Sequence, residues 1–302
     1  MRVASLLPAA TEIVAALGLV DALVGVSHEC DFPPAVAAKP RVTHCEIHGT
    51  GLASAAVDRW VRDRLADTDS LYTLDEPLLR TLAPDVVLTQ GLCDVCAPSL
   101  ASVTAVAARL PGPPRVLSLD PRTLGDILDD VGRVGAALGV AARAAEVVAA
   151  LEARIAAVRA RVAGRSIRRC VLLEWIDPPF RSGHWDPELV TLAGGIELLG
   201  RAGEPATGAT WDEVRAAAPD VLVIACCGYD LARTLEDVPL LRAQPGWDAL
   251  PAVRGGDVWV VDGSQYFSRP GPRVVDSLEL LAGILHPDGA MTGPASAVVR
   301  VG

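Results

Sequence analysis

Lysine is nearly absent: Lys39 is the only one in 302 residues, and arginine supplies the rest of the 27 basic side chains. Against 37 acidic residues this leaves a formal net charge of −10, with no basic run anywhere. An acidic chain without a basic patch is a poor partner for the phosphates of nucleic acid or for an anionic membrane face. Long hydrophobic runs are missing as well. No apolar stretch approaches the ~20 residues that cross a bilayer as a helix, so membrane insertion is not expected. Near the start, Pro8, Thr11 and Glu12 break the apolar run that a secretory signal requires, and no cysteine precedes Cys30 to carry a lipid anchor. The sequence as given therefore reads as cytoplasmic, with a periplasmic or extracellular location as the alternative for a chain that has lost a leader. Standard catalytic signatures are also lacking. There is no phosphate loop, nucleophile elbow or dinucleotide fingerprint, and Ala193-Gly-Gly195 alone is too short to count.

What is present is a core. Hydrophobic residues make up 51% of the chain and charged residues 21%, enough for two packed domains or one large one. Strand-like runs alternate with helical patterns: Arg2–Leu7 precedes Thr11–Leu17, Asp85–Thr89 precedes Ala97–Arg109, and Arg115–Leu119 precedes Leu124–Leu138. The scheme returns with Cys170–Trp175 before Pro187–Ala193, then Val221–Cys226, then Asp257–Val261 before Arg273–Leu285. Such alternation predicts parallel sheets covered by helices, an α/β chain of two Rossmann-like lobes.

An internal repeat supports the pair of lobes. Leu79-Arg-Thr-Leu-Ala-Pro-Asp-Val-Val-Leu-Thr-Gln-Gly91 resembles Val214-Arg-Ala-Ala-Ala-Pro-Asp-Val-Leu-Val-Ile-Ala-Cys226. A generic helix–turn–strand unit is the competing explanation. Between the halves, Ala141–Val162 lacks proline and predicts one helix of ~30 Å at 1.5 Å per residue, stopped by Gly164. The expected organisation is an N-terminal lobe over residues 1–122, connecting helices over 123–164, a C-terminal lobe over 165–288 and a loosely attached tail over 289–302.

In doubly wound sheets ligands sit outside the carboxyl ends of the strands. That rule selects the loops beginning at Ser27, Gln90, Trp175, Cys227 and Asp262. Aromatic residues are only 4% of the chain, yet Phe32, Trp175, Phe180, Trp185, Tyr229, Tyr266 and Phe267 all fall in these loops. They predict flat apolar walls for a large ligand, or plugs for the ends of the sheets. His184 is a candidate to hydrogen-bond the ligand or approach its metal, or else to cap the following helix. Glu174 ends a strand as a candidate acid or base, or as half of a salt bridge.

At these residues the chain resembles a family. Ser5-Leu-Leu-Pro-Ala-Ala-Thr-Glu12, Val24-Gly-Val-Ser27 with Asp31-Phe-Pro-Pro34, Leu82-Ala-Pro-Asp85, Asp177-Pro-Pro-Phe-Arg-Ser-Gly183 and Tyr266-Phe-Ser-Arg-Pro-Gly-Pro-Arg273 are similar to the cobalamin-binding members of the class III (iron-siderophore and cobalamin) periplasmic substrate-binding proteins. The resemblance runs from about residue 2 to 286. It implies two lobes joined by one long helix, with a corrinoid such as cobalamin clamped edge-on in the cleft. By position, Phe32, Phe180, Trp185, Tyr266 and Arg269 would line that ligand, and Trp175, His184 and Tyr229 join them from the loop reading. Transport members also carry one acidic residue per lobe that docks on an ABC permease. The C-lobe position is Asp212 here, but its N-lobe counterpart is Pro77, with Glu76 adjacent, so permease docking is in doubt. The chain looks closer to a cytoplasmic branch of the family.

The seven cysteines define a second possibility. Cys93-Asp-Val-Cys96 has the spacing of a metal or redox pair, and Cys30 and Cys226–Cys227 follow other strands on the same rims. His28, His44, Cys45 and His48 add ligands nearby in sequence. Cys30, Cys93, Cys96 and Cys227 are thus expected either to converge on zinc, an iron–sulfur cluster or the ligand, or to behave as small buried hydrophobes. Convergence would favour a cytoplasmic enzyme on the same fold over a binding protein.

Overall fold

The computed structural model describes residues 1–47, 51–68, 70–92, 97–287 and 293–302. They form two units. The first comprises Met1–Leu52, Ala56–Pro121 and Asp126–Ala149; the second comprises Ala53–Ala55, Arg122–Gly125 and Ala150–Gly302.

In the first unit, β1 (Val3–Ser5) runs into α1 (Pro8–Ala16). Pro8 opens that helix without loss, because the first N–H of a helix has no partner. β2 (Leu23–Val26) follows, then β3 (Thr43–Cys45), α2 (Ser54–Asp67) and β4 (Tyr72–Leu74). β3 and β4 pair as a separate antiparallel ribbon. α3 (Glu76–Leu82), β5 (Val86–Thr89), α4 (Leu100–Arg109), β6 (Arg115–Ser118) and α5 (Leu124–Ala137) complete the pattern. Asp75 caps α3 by accepting from the Leu78 N–H at 2.9 Å, and Ser99 caps α4 by accepting from that of Ser102 at 3.2 Å. The sheet order is β2-β1-β5-β6, all parallel. Val3, Ile13, Val14, Leu23, Leu88, Val131 and Val134 form the core on one of its faces.

The division between the units falls inside α6 (Ala141–Val162), which is helical without a break over the range its sequence predicts. Gly164, at φ +77°, takes the left-handed conformation just beyond its end.

The second unit contains β7 (Arg168–Trp175), β8 (Phe180–Arg181), α7 (Asp186–Leu192), β9 (Gly195–Glu197), β10 (Thr207–Gly208), α8 (Trp211–Ala217) and β11 (Val221–Ile224). α9 (Leu231–Arg242), α10 (Pro251–Arg254), β12 (Val258–Val261), α11 (Val274–Leu285) and β13 (Val298–Arg300) follow. β9, β7, β11 and β12 are parallel, while β8, β10 and β13 join the sheet antiparallel. The tail expected to hang loose thus ends, over its described residues, as a sheet strand. Val298 faces Val261, Ala297 and Val298 are buried, and the Ala297 carbonyl accepts from the Asp262 N–H at 2.8 Å. Its alternation of apolar residues is too short to stand out from sequence alone.

The internal repeat extends to individual hydrogen bonds. α3 and α8 both end at an alanine in the left-handed conformation, Ala83 at φ 40° and Ala218 at φ 45°. The Asp85 carboxylate then accepts from the Arg2 backbone N–H at 2.7 Å, as Asp220 does from Arg169 at 3.3 Å. Arg2 donates its Nε to the Leu82 carbonyl, and Arg169 its Nη2 to that of Ala217. β1 and β7 therefore occupy the same place in the two units, beside the repeated strands β5 and β11.

Candidate functional site

Each unit presents a rim at the carboxyl ends of its parallel strands, with the crevice at the strand where the order reverses. In the first unit this lies between β1 and β5. Thr11 Oγ1 donates to Ser5 Oγ at 2.8 Å and lies 3.1 Å from Cys30 Sγ; Ser27 Oγ lies 3.2 Å from the same sulfur. All four side chains are buried. Arg41 secures the loop by donating Nη1 to the Ser27 and Cys30 carbonyls at 3.0 and 2.7 Å. Phe32, two residues on, is 40% exposed and so available as a wall. His28 instead ties this loop to the β3–β4 ribbon, with Nδ1 2.7 Å from Thr43 Oγ1 and its ring 5.4 Å from that of Tyr72. After β5, buried Gln90 accepts from the Leu92 N–H at 2.8 Å, and the Gly91 N–H donates to Asp120.

In the second unit the order reverses at β7, between β9 and β11. Trp175 at the end of β7 packs against Tyr229, which follows β11, with ring centroids 4.7 Å apart. Trp175 Nε1 donates to the Asp177 carbonyl at 3.1 Å, and the Arg233 guanidinium covers the Tyr229 ring at 4.4 Å. The next rim segment, Gly263–Phe267 after β12, winds as a single π-helical turn capped by Asp262, and the Ser264 N–H donates to the Tyr229 carbonyl at 2.9 Å. Gly263 is obligatory there, since a Cβ would overlap the Cys226 carbonyl. Tyr266 stands on this turn, half-buried, with Arg273 5.3 Å from its ring. Burial raises the hydroxyl pKa of both Tyr229 and Tyr266. The structure therefore aligns Trp175, Tyr229 and Tyr266 along one rim.

The remaining aromatic candidates are placed differently. Trp185 is only 7% exposed, and its Nε1 donates to the Phe267 carbonyl at 3.1 Å, so it locks the rim turn from behind. Arg269 is buried too, and its charge opposes the burial that raises Asp262. Phe180 is half-buried in β8. His184 takes a left-handed φ of 52° and is clamped by its own backbone: its N–H donates to the Glu204 carbonyl at 2.6 Å, and its carbonyl accepts from Gly203 at 2.8 Å. Burial and the Arg122 charge lower its pKa, which favours the neutral imidazole. It does not cap α7, whose N-cap is Trp185 without a side-chain bond.

Sequence reading named Glu174 but did not anticipate that Asp186 and Glu197 lie close enough to act on the same site electrostatically. Glu174 accepts from the Gly183 N–H at 2.7 Å, so its carboxylate ties the segment after β8 back to β7. Burial raises the Asp186 carboxyl well above the usual carboxylate range, and the charge of Glu174 adds to it. Glu197, whose pKa is pushed up to about 7 by burial, accepts from the N–H groups of Leu172, Leu199 and Gly200. The signal available in sequence was three acids within or next to apolar strand and helix ends.

The cysteine site is not assembled by the described residues. Cys30 is engaged by two hydroxyls, Cys45, Cys170 and Cys226 are buried thiols, and Cys227 is exposed. Cys93, Cys96 and His48 lie outside the described residues. Among those that are described, no group of three or more His, Cys, Asp or Glu is arranged to hold a metal ion. The expected zinc or iron–sulfur centre thus has no support among the described residues. Of the docking acids, Asp212 is exposed and paired with Arg215 at 2.9 Å, while Glu76 is held at 3.0 and 2.6 Å by Arg80 and Arg109 of its own unit. Among the described residues no helix is long and apolar enough to cross a membrane.

Two α/β units, each opening at its strand ends, with one unbroken helix passing through the division, are the architecture of a two-lobed substrate-binding protein. The chain belongs to the periplasmic binding protein family, whose model matches residues 3–264. It is 24% identical over 296 residues to a vitamin B12-binding protein of Vibrio cholerae, an alignment covering 92% of this chain and 86% of that one. The crystal structure of the periplasmic vitamin B12-binding protein BtuF of Vibrio cholerae superposes with a TM-score of 0.64 at 22% identity, covering 94% of this chain and 96% of the other. A periplasmic heme-binding protein from Pseudomonas aeruginosa gives a TM-score of 0.73 at 19% identity, covering 100% and 99%.

Proposed function

We propose that the protein binds a corrinoid, a broad, flat, metal-bearing small molecule, against the aromatic rims of its units. The observation that carries this reading is the alignment of Trp175, Tyr229 and Tyr266 at the ends of β7, β11 and β12. Partly buried rings on a fixed rim offer apolar surface to a planar ligand, with the Trp175 and Tyr229 polar tips already hydrogen-bonded within the chain. The kinship with vitamin B12-binding proteins gives the ligand class. His184, held neutral, is suited to approach a ligand metal or to donate a hydrogen bond. The function is binding, with no covalent step assigned to any residue.

Titration with cyanocobalamin and with cobinamide, followed through the corrin absorbance, tests the reading. Saturable binding in the micromolar range or tighter supports it, and absence of binding to either at high micromolar concentration refutes it. Heme belongs in the same experiment, because a heme-binding protein shares the fold. Preference for heme would replace the corrinoid. We also propose a cytoplasmic location. Buried Cys170 and Cys226 and exposed Cys227 stand as thiols, which suits a reducing compartment. Fractionation of the native organism with an antibody to the protein tests it, and recovery in the periplasmic or extracellular fraction would overturn it.

A further inference from the structure

The rim turn after β12 contains a polar series that the aromatic rim does not by itself require. Asp262, 6% exposed, accepts from the Gln265 backbone N–H at 2.8 Å and from the Gln265 side-chain Nε2 at 3.2 Å. The other end of the same amide, Oε1, accepts from Arg273 Nη1 at 3.2 Å. Arg273 is 8% exposed. Its guanidinium lies 5.3 Å from the centre of the Tyr266 ring, inside the ~6 Å reach of a cation–π contact. Asp262, Gln265, Arg273 and Tyr266 therefore form one connected series, which starts at the end of β12 and finishes on a rim aromatic.

The chemistry of residue 265 matters at both ends. A carboxamide carries a donor and an acceptor on one planar group, so it can face a carboxylate with its NH₂ and a guanidinium with its oxygen. A carboxylate there would keep the bond to Arg273 but repel Asp262. A cationic side chain would do the reverse, and an apolar one would satisfy neither. Asp262 and Arg273 are opposite charges in a largely buried place, and the amide spaces them by its own width. The guanidinium is held out at the ring instead of being drawn down onto Asp262. The backbone of the turn is secured independently of this side chain. The Ser268 N–H donates to the Gly263 carbonyl at 2.9 Å, Ser277 Oγ to the Tyr266 carbonyl at 2.8 Å, and Trp185 Nε1 to the Phe267 carbonyl at 3.1 Å. The Gln265 N–H reaches Asp262 whatever side chain the residue bears. What the Gln265 side chain adds is a hold on Arg273, and through Arg273 on the Tyr266 ring.

We infer that Gln265 is a positioning residue of the rim: its amide bridges Asp262 to Arg273, keeps the guanidinium against the Tyr266 ring, and so fixes the side chain on which a planar ligand would rest. The inference rests on the corrinoid reading and deepens it, and its test has one arm that needs no ligand. The chain has three tyrosines, Tyr72, Tyr229 and Tyr266, so ring-labelled tyrosine gives a simple magnetic resonance spectrum of the free protein. Gln265→Met should move the Tyr266 ring signal, assigned with Tyr266→Phe, and leave that of Tyr72 in place. Its circular dichroism and thermal melting should match wild type, because the backbone anchors remain. In cyanocobalamin titrations of the full chain, Gln265→Met should weaken binding about fivefold, as loss of one net hydrogen bond predicts. In a Tyr266→Ala background the same change should weaken it by less than about twofold, since the two residues act as one unit. An unmoved Tyr266 signal, a Gln265→Met protein that no longer folds, or equal losses in both backgrounds would overturn the positioning role and leave the corrinoid reading standing. Failure of wild type to bind cyanocobalamin or cobinamide would overturn the corrinoid reading, and the ring signal would still decide whether Gln265 holds Tyr266.

Discussion

The backbone N–H of Arg2 donates to the carboxylate of Asp85 at 2.7 Å, closing the start of β1 onto the turn before β5. The same closure recurs between Arg169 and Asp220 in the other unit. Replacing either aspartate by alanine should remove a charge-assisted bond and lower unfolding stability by about 1 kcal/mol, since a typical net hydrogen bond contributes ~0.5–1.5 kcal/mol. Urea unfolding of Asp85→Ala and Asp220→Ala measures this. An effect in only one unit would show that the repeat is preserved in geometry but not in energy.

Trp175 and Trp185 should separate cleanly. Trp175→Ala removes a partly buried rim ring that also packs on the core, and should weaken corrinoid binding by ~1–3 kcal/mol at a smaller cost in stability than Trp185→Ala. Trp185→Ala opens a cavity behind the rim turn and should lower stability by ~3–5 kcal/mol. Melting and ligand titration on both variants check the assignment. Tyr266→Ala should follow Trp175→Ala.

Gly183 lies so close to Pro205 and Ala206 that a Cβ would overlap their backbone. Gly183→Ala should cost at least ~1–3 kcal/mol and displace the turn that carries Arg201 and Glu204. Ser182→Ala, which adds no atoms, should leave stability near wild type. Chemical denaturation of the pair distinguishes crowding from general sensitivity of the loop.

Glu197 and Asp130 have carboxyl pKa values raised by burial to about 7 and about 6. A raised folded pKa means the folded state holds the proton more tightly than the unfolded one. Their contribution to stability is therefore complete below the unfolded carboxylate value near 4 and is lost as pH rises through about 6 to 7. Wild type should lose stability relative to Glu197→Gln as pH rises from 4.5 to 7.5 (roughly the span of those two values). Urea midpoints across that range provide the test, and a pH-independent difference would contradict it.

Cys227 is exposed, whereas burial raises the neighbouring Cys226 thiol far above its usual range. Brief alkylation of the native protein should modify Cys227 and spare Cys226. Peptide mass analysis of the shared fragment reads the outcome, and equal labelling would show that the end of β11 opens readily.

Much of the fold was legible because hydrophobic periodicity and punctuation agree in long elements. Ala141–Val162 carries no proline and ends at a glycine, and Pro-Asp before an apolar run marks both β5 and β11. Short elements escaped. β3, β4 and β13 have three residues each, too few for a period of two to show. The strand-end rule expected Trp175, Tyr229 and Tyr266 at the ends of β7, β11 and β12, where they stand, because it depends only on where strands stop. It also named Trp185 and Arg269, which stand in the same loops but are buried, since loop membership does not say which way a side chain faces.

β13 also shields its neighbour. Val258-Trp-Val-Val261 is apolar at every position, and on the side away from β11 its backbone is paired only through Val298–Arg300. Were that short terminal segment to detach, β12 would present an open, uncharged edge of the kind that templates pairing with another molecule. Arg300, anchored on Asp257 at 2.7 Å and placed 5.3 Å from the Trp259 ring, holds the cover closed and puts a charge on the new outer strand. Val298–Arg300 thus covers the edge at which β12 could pair with another molecule.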